Sequence, residues 1–175
     1  ETIKNMEEPA ALIGHSLGEY TALTLSGYFK YADALKVIAV RGEEMQKAVE
    51  NSNTGMSAVL TSDLKKTLEE INNLNSQDIE IWISNYNDAS QIVVSGNKDD
   101  LEYIKLNPKS IGAKRIVPLE VAGAFHSKVV SSAKAAVEEV LNDIEINEGK
   151  IPVYTNFDGK QTNTGTIRNS LINQI

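Results

Sequence analysis

The chain has 175 residues, of which 41% are hydrophobic, and its formal net charge is −7 at pH 7. This length suits one domain, or a domain with a small insert, and the apolar content favours a packed core over disorder. The negative charge disfavours nucleic acid as the main partner. The sequence contains no cysteine, which excludes disulfides, a thiolate zinc site and a cysteine nucleophile.

The start and the hydropathy of the chain limit where the protein acts but do not fix one compartment, because any organellar targeting segment would lie upstream of Glu1. No apolar run approaches the roughly 20 residues that a bilayer-spanning helix needs. The chain opens at Glu1 rather than at methionine and shows no signal peptide. We therefore expect a chain that is processed or cut from something longer. We also expect a protein that is not secreted and acts in the cytoplasm or in the lumen of a plastid-type or mitochondrial organelle.

The pattern over residues 9–27 predicts a strand, a tight turn and a helix. An apolar run at residues 10–13 precedes Gly14-His15-Ser16-Leu17-Gly18, and small and apolar residues follow at helical spacing up to Gly27. This is the pattern of a nucleophile elbow, in which the strained serine requires glycine two residues before and two residues after it. Ser16 would then lie at a helix N-terminus, where backbone N–H groups can bind an oxyanion. The alternative is a serine that only caps the helix.

The next helix is predicted to start near Asp33 and to run to about Val49. Its apolar stripe comprises Ala34, Leu35, Val37, Ile38, Met45 and Ala48. Arg41 lies within that stripe, where a guanidinium is costly to bury without a carboxylate partner. Two interpretations remain open, a structural ion pair and a fixed cation that binds the carboxylate of a ligand.

The middle of the chain is predicted to form a small inserted domain. Strands and helices alternate there in the order β-α-β-β-α-β, which is typical of a ferredoxin-like unit. The predicted elements are strands at residues 55–60, 79–84, 91–95 and 113–118, helices at residues 64–71 and 98–106, and a turn at residues 85–90. We therefore assign residues 55–118 to the insert and residues 1–54 and 119–175 to the main domain. In the latter, a helix at 131–142, a strand at 151–155 and a helix from 166 follow.

Only two histidines, His15 and His126, are available as a general base. A serine hydroxyl is a weak nucleophile at neutral pH and needs such a base. His126 is the better candidate, because it ends a small-residue loop that begins near Gly123. His15 adjoins Ser16, so we expect its side chain to point away and to support the turn by hydrogen bonding. No carboxylate occupies an obvious third position, and a carbonyl group could orient the imidazole instead.

Several motifs occur together in one order along the chain. They are Gly14-His15-Ser16-Leu17-Gly18-Glu19-Tyr20, Arg41-Gly42 with Met45-Gln46, Asn85-Tyr86-Asn87, Gln91-Ile92-Val93-Val94-Ser95-Gly96, Gly112-Ala113-Lys114-Arg115 and Gly123-Ala124-Phe125-His126-Ser127. In this combination, the chain resembles the malonyl-CoA:acyl carrier protein transacylases and the related acyltransferase domains of fatty acid and polyketide synthases. The resemblance covers essentially the whole chain.

This resemblance implies a fold and a set of roles. The fold would be an α/β-hydrolase-like core with an inserted ferredoxin-like (βαββαβ) domain. Ser16 would be the acylated nucleophile and His126 its base. Arg41 would bind the free carboxylate of a malonyl group, because guanidinium and carboxylate pair bidentately.

The resemblance also implies supporting roles. The Leu17 amide would donate to the oxyanion, and the backbone carbonyl of Gln174 would orient the histidine. Met45, Phe125 and Asn87 would contact the substrate. Phe before the histidine and an aliphatic residue after the serine accompany malonyl selection in the family. An extra methyl group is worth only ~1–3 kcal/mol of discrimination in such a pocket.

The activity implied is transfer of a malonyl group from malonyl-CoA to the phosphopantetheine thiol of acyl carrier protein, in fatty acid biosynthesis. No cofactor or metal is expected, and we expect a monomer that contacts neither nucleic acid nor membrane. Carrier proteins are acidic, so a local basic patch is expected to bind them. The candidates, which could equally be a solvated surface, are Lys105, Lys109, Lys114, Arg115 and Lys128.

The chain also departs from the family pattern. The family begins with a strand and a Gly-Gln-Gly loop that supplies a second oxyanion donor, and neither that loop nor the family's C-terminal part is present. We therefore expect a fragment that is not a competent enzyme by itself. The rival functions are a serine hydrolase or thioesterase, which needs no cation such as Arg41, and an inactive docking domain of a synthase.

Overall fold

The structure is a computed structural model that describes residues 9–175. The described chain forms two compact units. The first comprises residues 9–43 with Lys134–Gln174, and the second comprises Glu44–Ala133 with Ile175. The second unit is wider than the predicted insert of residues 55–118, because it includes the end of a long helix and the loop that follows Pro118. The division into a catalytic core and an insert stays a prediction.

The described chain is a mixed α/β protein whose elements follow one another in a simple order. They are β1 (Leu12–Ile13), α1 (Leu17–Ser26), α2 (Tyr31–Val49), β2 (Thr54–Thr61), α3 (Leu64–Asn75), β3 (Ile81–Asp88), β4 (Gln91–Asn97), α4 (Lys98–Leu106), β5 (Ala113–Pro118), α5 (Ala133–Asp143), β6 (Val153–Tyr154) and α6 (Ile167–Asn173). Short 3₁₀ turns lie at Pro108–Ile111 and Lys128–Val130. In residues 9–175, we find no helix with both the length and the apolar character needed to cross a bilayer.

The first unit contains a short parallel sheet and the helices that follow its strands. β1 pairs with β6 so that Leu12 lies opposite Val153. α1 ends at Gly27, whose φ of 94° lies in the left-handed region that glycine adopts without a side-chain clash. The fully buried apolar side chains of this unit, which form its interior, include Tyr20, Leu23, Val37, Val137, Leu141, Val153, Ile167 and Leu171.

Two polar side chains hold the chain at the ends of helices in this unit. Ser26, the last residue of α1, donates from Oγ to the carbonyl of Ile151 at 2.6 Å and accepts from its N–H at 3.1 Å. Arg168 of α6 donates from Nε to the carbonyl of Leu141 at 2.9 Å and from Nη2 to that of Ile144 at 3.0 Å. The guanidinium therefore satisfies carbonyl groups that the C-terminus of α5 leaves without partners.

The second unit is built on an antiparallel sheet with the strand order β3-β4-β2-β5. Alternate residues of its strands point to one face and meet the apolar sides of α3 and α4. This core comprises Val59, Ile71, Leu74, Ile81, Ile92, Val94, Leu101, Ile104, Ile111, Ala113 and Ile116. α3 starts where Asp63 accepts a hydrogen bond from the N–H of Lys66, as an N-cap does.

Most predicted elements are present, and the differences are local. α4 and β5 have the predicted bounds, whereas β1 and β6 are shorter than the predicted strands. The turn predicted at residues 85–90 is wrong in its first part, because β3 continues to Asp88. Two register shifts in the pairing of β3 with β4 accommodate the polar residues there. The turn itself is short, and Asp88 Oδ1 accepts hydrogen bonds from the N–H and Oγ of Ser90.

Candidate active site

Ser16 occupies the strained apex of the turn between β1 and α1. Its φ of 52° and ψ of −108° place it in a region that residues with a side chain rarely adopt. Such strain persists only where the surroundings hold it, and it concentrates at functional sites. The conformation agrees with a nucleophile elbow, in which the serine hydroxyl projects from the start of a helix.

The two glycines of the turn are not equivalent. A Cβ at Gly14 would overlap the carbonyl of Gly18 and would lie 2.5 Å from the N–H nitrogen of Glu19. A Cβ at Gly18 would meet nothing within 4 Å among residues 9–175. Within the described residues, the expectation that both positions require glycine is therefore right for Gly14 and wrong for Gly18, since an added Cβ would clash only at residue 14.

His15 supports the turn through its backbone rather than through its side chain. Its carbonyl accepts the N–H of Gly18 at 2.9 Å. The imidazole is exposed and forms no hydrogen bond with the described residues. The expected side-chain support was therefore wrong, because the side chain of residue 15 points to solvent.

Two amide side chains hold the backbone of Ser16 from both sides. Asn156 accepts the N–H of Ser16 on Oδ1 at 2.6 Å and donates from Nδ2 to the carbonyl of Gly14 at 2.6 Å. Gln174 donates from Nε2 to the carbonyl of Ser16 at 3.0 Å. Both backbone polar groups of the strained residue thus have partners distant in sequence, which offsets part of the cost of the strain.

Glu19 joins these two amides. It is fully buried, with 0% exposure. Its Oε2 accepts the backbone N–H of Asn156 at 2.9 Å and Nε2 of Gln174 at 2.8 Å. Oε1 has no hydrogen-bond partner among residues 9–175. Burial raises the pKa of this carboxyl, while the two hydrogen bonds and the charge of Arg41 act in the opposite direction.

Arg41 places a buried positive charge beside the serine hydroxyl. The residue is 5% exposed, and its Nη2 donates to Ser16 Oγ at 2.9 Å and to Gln174 Oε1 at 3.2 Å. Its Nε has no hydrogen-bond partner within the described chain. No ion pair within 4.0 Å joins Arg41 to a carboxylate of the described residues. The structural ion pair considered as an alternative is therefore not formed there.

Burial shapes the electrostatics around this guanidinium. It lowers the pKa of Arg41 from its ordinary value, although a group with so high a pKa remains charged. The ring centre of Tyr20 lies 5.7 Å from the guanidinium carbon, in the range of a cation–π interaction. Burial raises the pKa of Tyr20 to about 12, so the phenol beside Arg41 is neutral and leaves the cation without a local counter-charge from this residue.

The backbone N–H of Leu17, the first residue of α1, donates no hydrogen bond within the described residues. Because Leu17 begins the helix, its N–H has no partner within that helix, and it donates to no other acceptor in the part of the chain that is described. The preceding residue carries the serine hydroxyl. An N–H in this position can bind an oxyanion that forms when the hydroxyl attacks a carbonyl.

The remaining predicted site residues belong to the second unit, where the loop before His126 is pinned to the sheet. The carbonyl of Phe125 accepts Oγ of Ser95 at 2.9 Å and Oγ of Ser84 at 3.1 Å. The N–H of Ala124 donates to Thr54 Oγ1 at 3.0 Å. His126 itself has a φ of 54°, in the left-handed region. This loop is therefore held in a defined and strained conformation.

Met45 and Asn87 differ in their surroundings within this unit. Met45 lies one turn after Arg41 along α2 and is 4% exposed. Asn87 lies in the exposed end of β3, where its Nδ2 donates to Gln91 Oε1 at 2.9 Å. The substrate-contacting roles of Met45, Asn87 and Phe125, and the basic role of His126, stay predictions.

The structure brings together Ser16, Arg41 and Gln174 by hydrogen bonds and adds residues that sequence reasoning missed. Glu19 had a signal, because it lies on the same helical stripe as the buried residues Ala22, Leu23 and Ser26. Asn156 had none, because it lies in a loop 140 residues from Ser16. For Gln174, the side chain supports Ser16, whereas the role predicted for its backbone carbonyl stays a prediction.

This arrangement can perform a definite kind of chemistry. A hydroxyl held at a strained apex, an adjacent amide donor and a buried cation suit nucleophilic attack on a carbonyl compound that carries its own negative charge. An uncharged substrate would leave the Arg41 guanidinium without a carboxylate in direct contact among the described residues.

Comparison with known proteins gives one family. Residues 6–173 match the family model described as the acyl transferase domain. The malonyl CoA-acyl carrier protein transacylase of Staphylococcus aureus (strain MSSA476) is 34% identical over 174 residues, which cover 99% of this chain and 56% of the relative. The chain thus spans about half the length of the curated relatives it matches.

Solved structures agree with the sequence match. An acyl carrier protein S-malonyltransferase from Vibrio cholerae is 32% identical, with a TM-score of 0.87 over 99% of this chain and 57% of that one. A malonyl-transacylase in complex with a type II PKS acyl-carrier protein is 30% identical, with a TM-score of 0.88 over 99% and 56%. The family match, the similarity of fold and the strained Ser16 together show that this chain belongs to the acyl transferase domain family.

Proposed function

We propose that the protein transfers a malonyl group from malonyl-CoA to the phosphopantetheine thiol of an acyl carrier protein, through an ester on Ser16. The observation that carries this proposal is the position of Arg41. Its Nη2 lies 2.9 Å from Ser16 Oγ, and the buried guanidinium forms no carboxylate ion pair with the described residues. A malonyl thioester offers both a reactive carbonyl and a free carboxylate. The names of the relatives, which include malonyl transacylases, support the same substrate class.

In the first half-reaction, His126 takes the proton from Ser16 as Oγ attacks the thioester carbonyl. The carbonyl oxygen becomes an oxyanion that the N–H of Leu17 binds. The carbon–sulfur bond then breaks, and coenzyme A leaves as a thiol after it receives the proton. The malonyl group remains as an ester on Ser16. The thioester is already activated, so the reaction as proposed uses no cofactor.

In the second half-reaction, the phosphopantetheine thiol attacks the Ser16 ester. His126 takes the thiol proton and returns it to Ser16 as the ester bond breaks. Water must be kept from the ester in between, because hydrolysis would waste the malonyl group. The carboxylate held by Arg41 keeps the acyl group in one orientation through both steps. A serine hydrolase or thioesterase would not need this cation.

The finer assignment of the fold belongs to the same proposal. We infer that the two units are an α/β-hydrolase-like core and a ferredoxin-like insert. The element order β2-α3-β3-β4-α4-β5 and the strand order β3-β4-β2-β5 support the insert. We also propose that the protein acts as a monomer in the cytoplasm. The relatives from Staphylococcus aureus and Vibrio cholerae are bacterial and give no support to an organellar site.

The proposed docking surface for the carrier protein is formed by five basic residues of the second unit, which are Lys105, Lys109, Lys114, Arg115 and Lys128. Two of its five candidates already have partners, since Lys105 pairs with Glu102 at 2.8 Å and Lys128 pairs with Glu80 at 2.8 Å. Lys114 and Arg115 are exposed on β5, which forms an edge of the sheet. These two are the better candidates, because their charges are available to an acidic partner.

The proposal is tested by the intact mass of the full-length protein after incubation with malonyl-CoA. We expect one malonyl group per molecule, on the peptide that contains Ser16. Ser16→Ala should abolish the adduct, and Ser131→Ala, which changes an exposed serine, should not. Addition of a phosphopantetheinylated carrier protein should then discharge the ester to the carrier. An adduct that persists in Ser16→Ala, or an ester that only water removes, contradicts the proposal.

A further inference from the structure

We propose that Glu19 is a positioning residue whose single oxygen Oε2 fixes, through Asn156 and Gln174, the strained conformation in which Ser16 reacts. The proposal rests on the proposed function, because it concerns the rate at which Ser16 is acylated. Glu19 itself touches neither the Ser16 hydroxyl nor the expected substrate. It acts through the two amide residues that hold the backbone of Ser16.

Glu19 is joined to the backbone of Ser16 by a closed set of hydrogen bonds. Oε2 of Glu19 accepts from the backbone of Asn156 at 2.9 Å and from the side chain of Gln174 at 2.8 Å. The side chain of Asn156 accepts the N–H of Ser16 at 2.6 Å, and Nε2 of Gln174 donates to its carbonyl at 3.0 Å. One carboxylate oxygen therefore sets the positions of both groups that hold the Ser16 backbone.

The same hydrogen bonds reach Arg41 through Gln174. Gln174 accepts Nη2 of Arg41 on Oε1 at 3.2 Å while its Nε2 is held by Glu19 and by the carbonyl of Ser16. The amide of Gln174 cannot rotate without breaking these bonds. Glu19 thus also fixes the orientation of the amide that shares Nη2 of Arg41 with Ser16 Oγ.

The carboxyl group of Glu19 is fully buried. A fully buried carboxyl is costly unless its hydrogen bonds compensate, yet Oε1 of Glu19 has no partner in residues 9–175. A group needed only to fill space at this point of α1 would be apolar. What the carboxyl supplies is one oxygen that accepts two N–H groups, and a glutamine amide oxygen in the same place could accept both.

The effect on the reaction follows from this geometry. Loss of the Oε2 position should allow Ser16 to relax from its φ of 52°. A misplacement of the nucleophile by about 1 Å costs on the order of 10²-fold in rate. The binding of malonyl-CoA before reaction depends much less on the Ser16 backbone. We therefore expect the acylation rate at saturating substrate to fall while the half-saturating concentration stays nearly unchanged.

Three substitutions at Glu19 separate the effect of the position of its carboxylate oxygen from the effect of its charge. Glu19→Gln keeps an acceptor oxygen in place and removes the charge, whereas Glu19→Asp keeps the charge and withdraws the oxygens by one methylene. Glu19→Ala removes both. The matched control is Glu139→Ala, which removes an exposed carboxylate from α5. Acylation rates are measured per folded molecule, with the folded fraction taken from thermal unfolding of each variant.

We expect Glu19→Gln to stay within about tenfold of the unmodified protein, and Glu19→Asp and Glu19→Ala to lose about 10²-fold in acylation rate. Hydrogen exchange provides a readout that does not depend on activity. The Ser16 amide should exchange about tenfold faster in Glu19→Asp, a factor that corresponds to the net worth of one hydrogen bond. Exchange in Glu139→Ala should not change.

The outcomes distinguish the two proposals. If the unmodified protein gains no malonyl group on Ser16, the proposed function is wrong, and the exchange rates still decide the role of Glu19. If Glu19→Asp matches the control in both acylation and exchange, the positioning role is wrong. A slow Glu19→Gln with a fast Glu19→Asp also overturns it, because charge rather than the position of the oxygen would then matter. If Glu19→Ala does not fold, the Gln and Asp variants decide.

Discussion

Replacement of Gly14 by alanine tests the geometry of the turn that carries Ser16. The added methyl group would overlap the carbonyl of Gly18 and lie 2.5 Å from the nitrogen of Glu19, so the backbone itself would have to move. Overpacking of this kind costs about 1–3 kcal/mol. Gly18→Ala is the matched control, because its Cβ would meet nothing within 4 Å. A strain-free Gly→Ala change stabilises a protein by about 0.4–1 kcal/mol.

The two glycine variants should therefore change stability in opposite directions. For a chain of this size, each kcal/mol shifts the melting temperature by about 2–4 °C. Gly14→Ala should thus melt about 2–12 °C lower and Gly18→Ala about 1–4 °C higher than the unmodified protein. Thermal and urea unfolding, followed by circular dichroism, measure both. A Gly14→Ala variant with unchanged stability would refute this explanation of the turn. A Gly18→Ala variant destabilised by the same amount as Gly14→Ala would also refute it.

Three further predictions concern polar side chains of the first unit. Burial raises the folded-state pKa of Glu19 above its ordinary value of 4.5, so ionisation of this carboxyl disfavours folding. The Glu19→Gln variant has no such group. Its stability relative to the unmodified protein should therefore rise as the pH increases above 4.5. Urea unfolding at a series of pH values measures this, and a fall would contradict the sign. Arg168→Ala should cost about 1–3 kcal/mol, since it leaves the carbonyl groups of Leu141 and Ile144 without their donor; an unchanged unfolding midpoint would show that solvent replaces it. Tyr20→Phe should remove a phenol that ionises only at a pH of about 12, which ultraviolet difference titration detects.

Most of the secondary structure could be predicted because helix ends and strands are marked by residues that lie close together in sequence. Glycine at residue 27 ends α1, Asp63 caps α3, and a run of β-branched residues marks β4. The strand β3 was cut short in the prediction because its polar end resembles a turn. Its pairing with β4 through two register shifts is a tertiary effect.

The candidate site was predictable only in part. Ser16 and Arg41 could be identified because a strained turn and a cation on an apolar stripe are visible in sequence. The hydrogen bonds from Asn156 and Gln174 to the backbone of Ser16 could not be predicted, because they join residues far apart in sequence. Asn156, for example, lies 140 residues from Ser16. Nor does the sequence distinguish the two glycines. A Cβ at Gly14 would overlap the carbonyl of Gly18, whereas a Cβ at Gly18 would contact none of the described residues. Such differences arise from long-range packing.

The central claim is that Ser16 and Arg41 act together on an acyl group with a free carboxylate. Competition between malonyl-CoA and acetyl-CoA for acylation of Ser16 tests it most directly. We predict that the unmodified protein prefers malonyl. Arg41→Ala should lower that preference by about 10–10²-fold, because a hydrogen bond between charged groups is worth about 1.5–3 kcal/mol. A preference for malonyl that survives Arg41→Ala unchanged, or acylation at a residue other than Ser16, would contradict the claim.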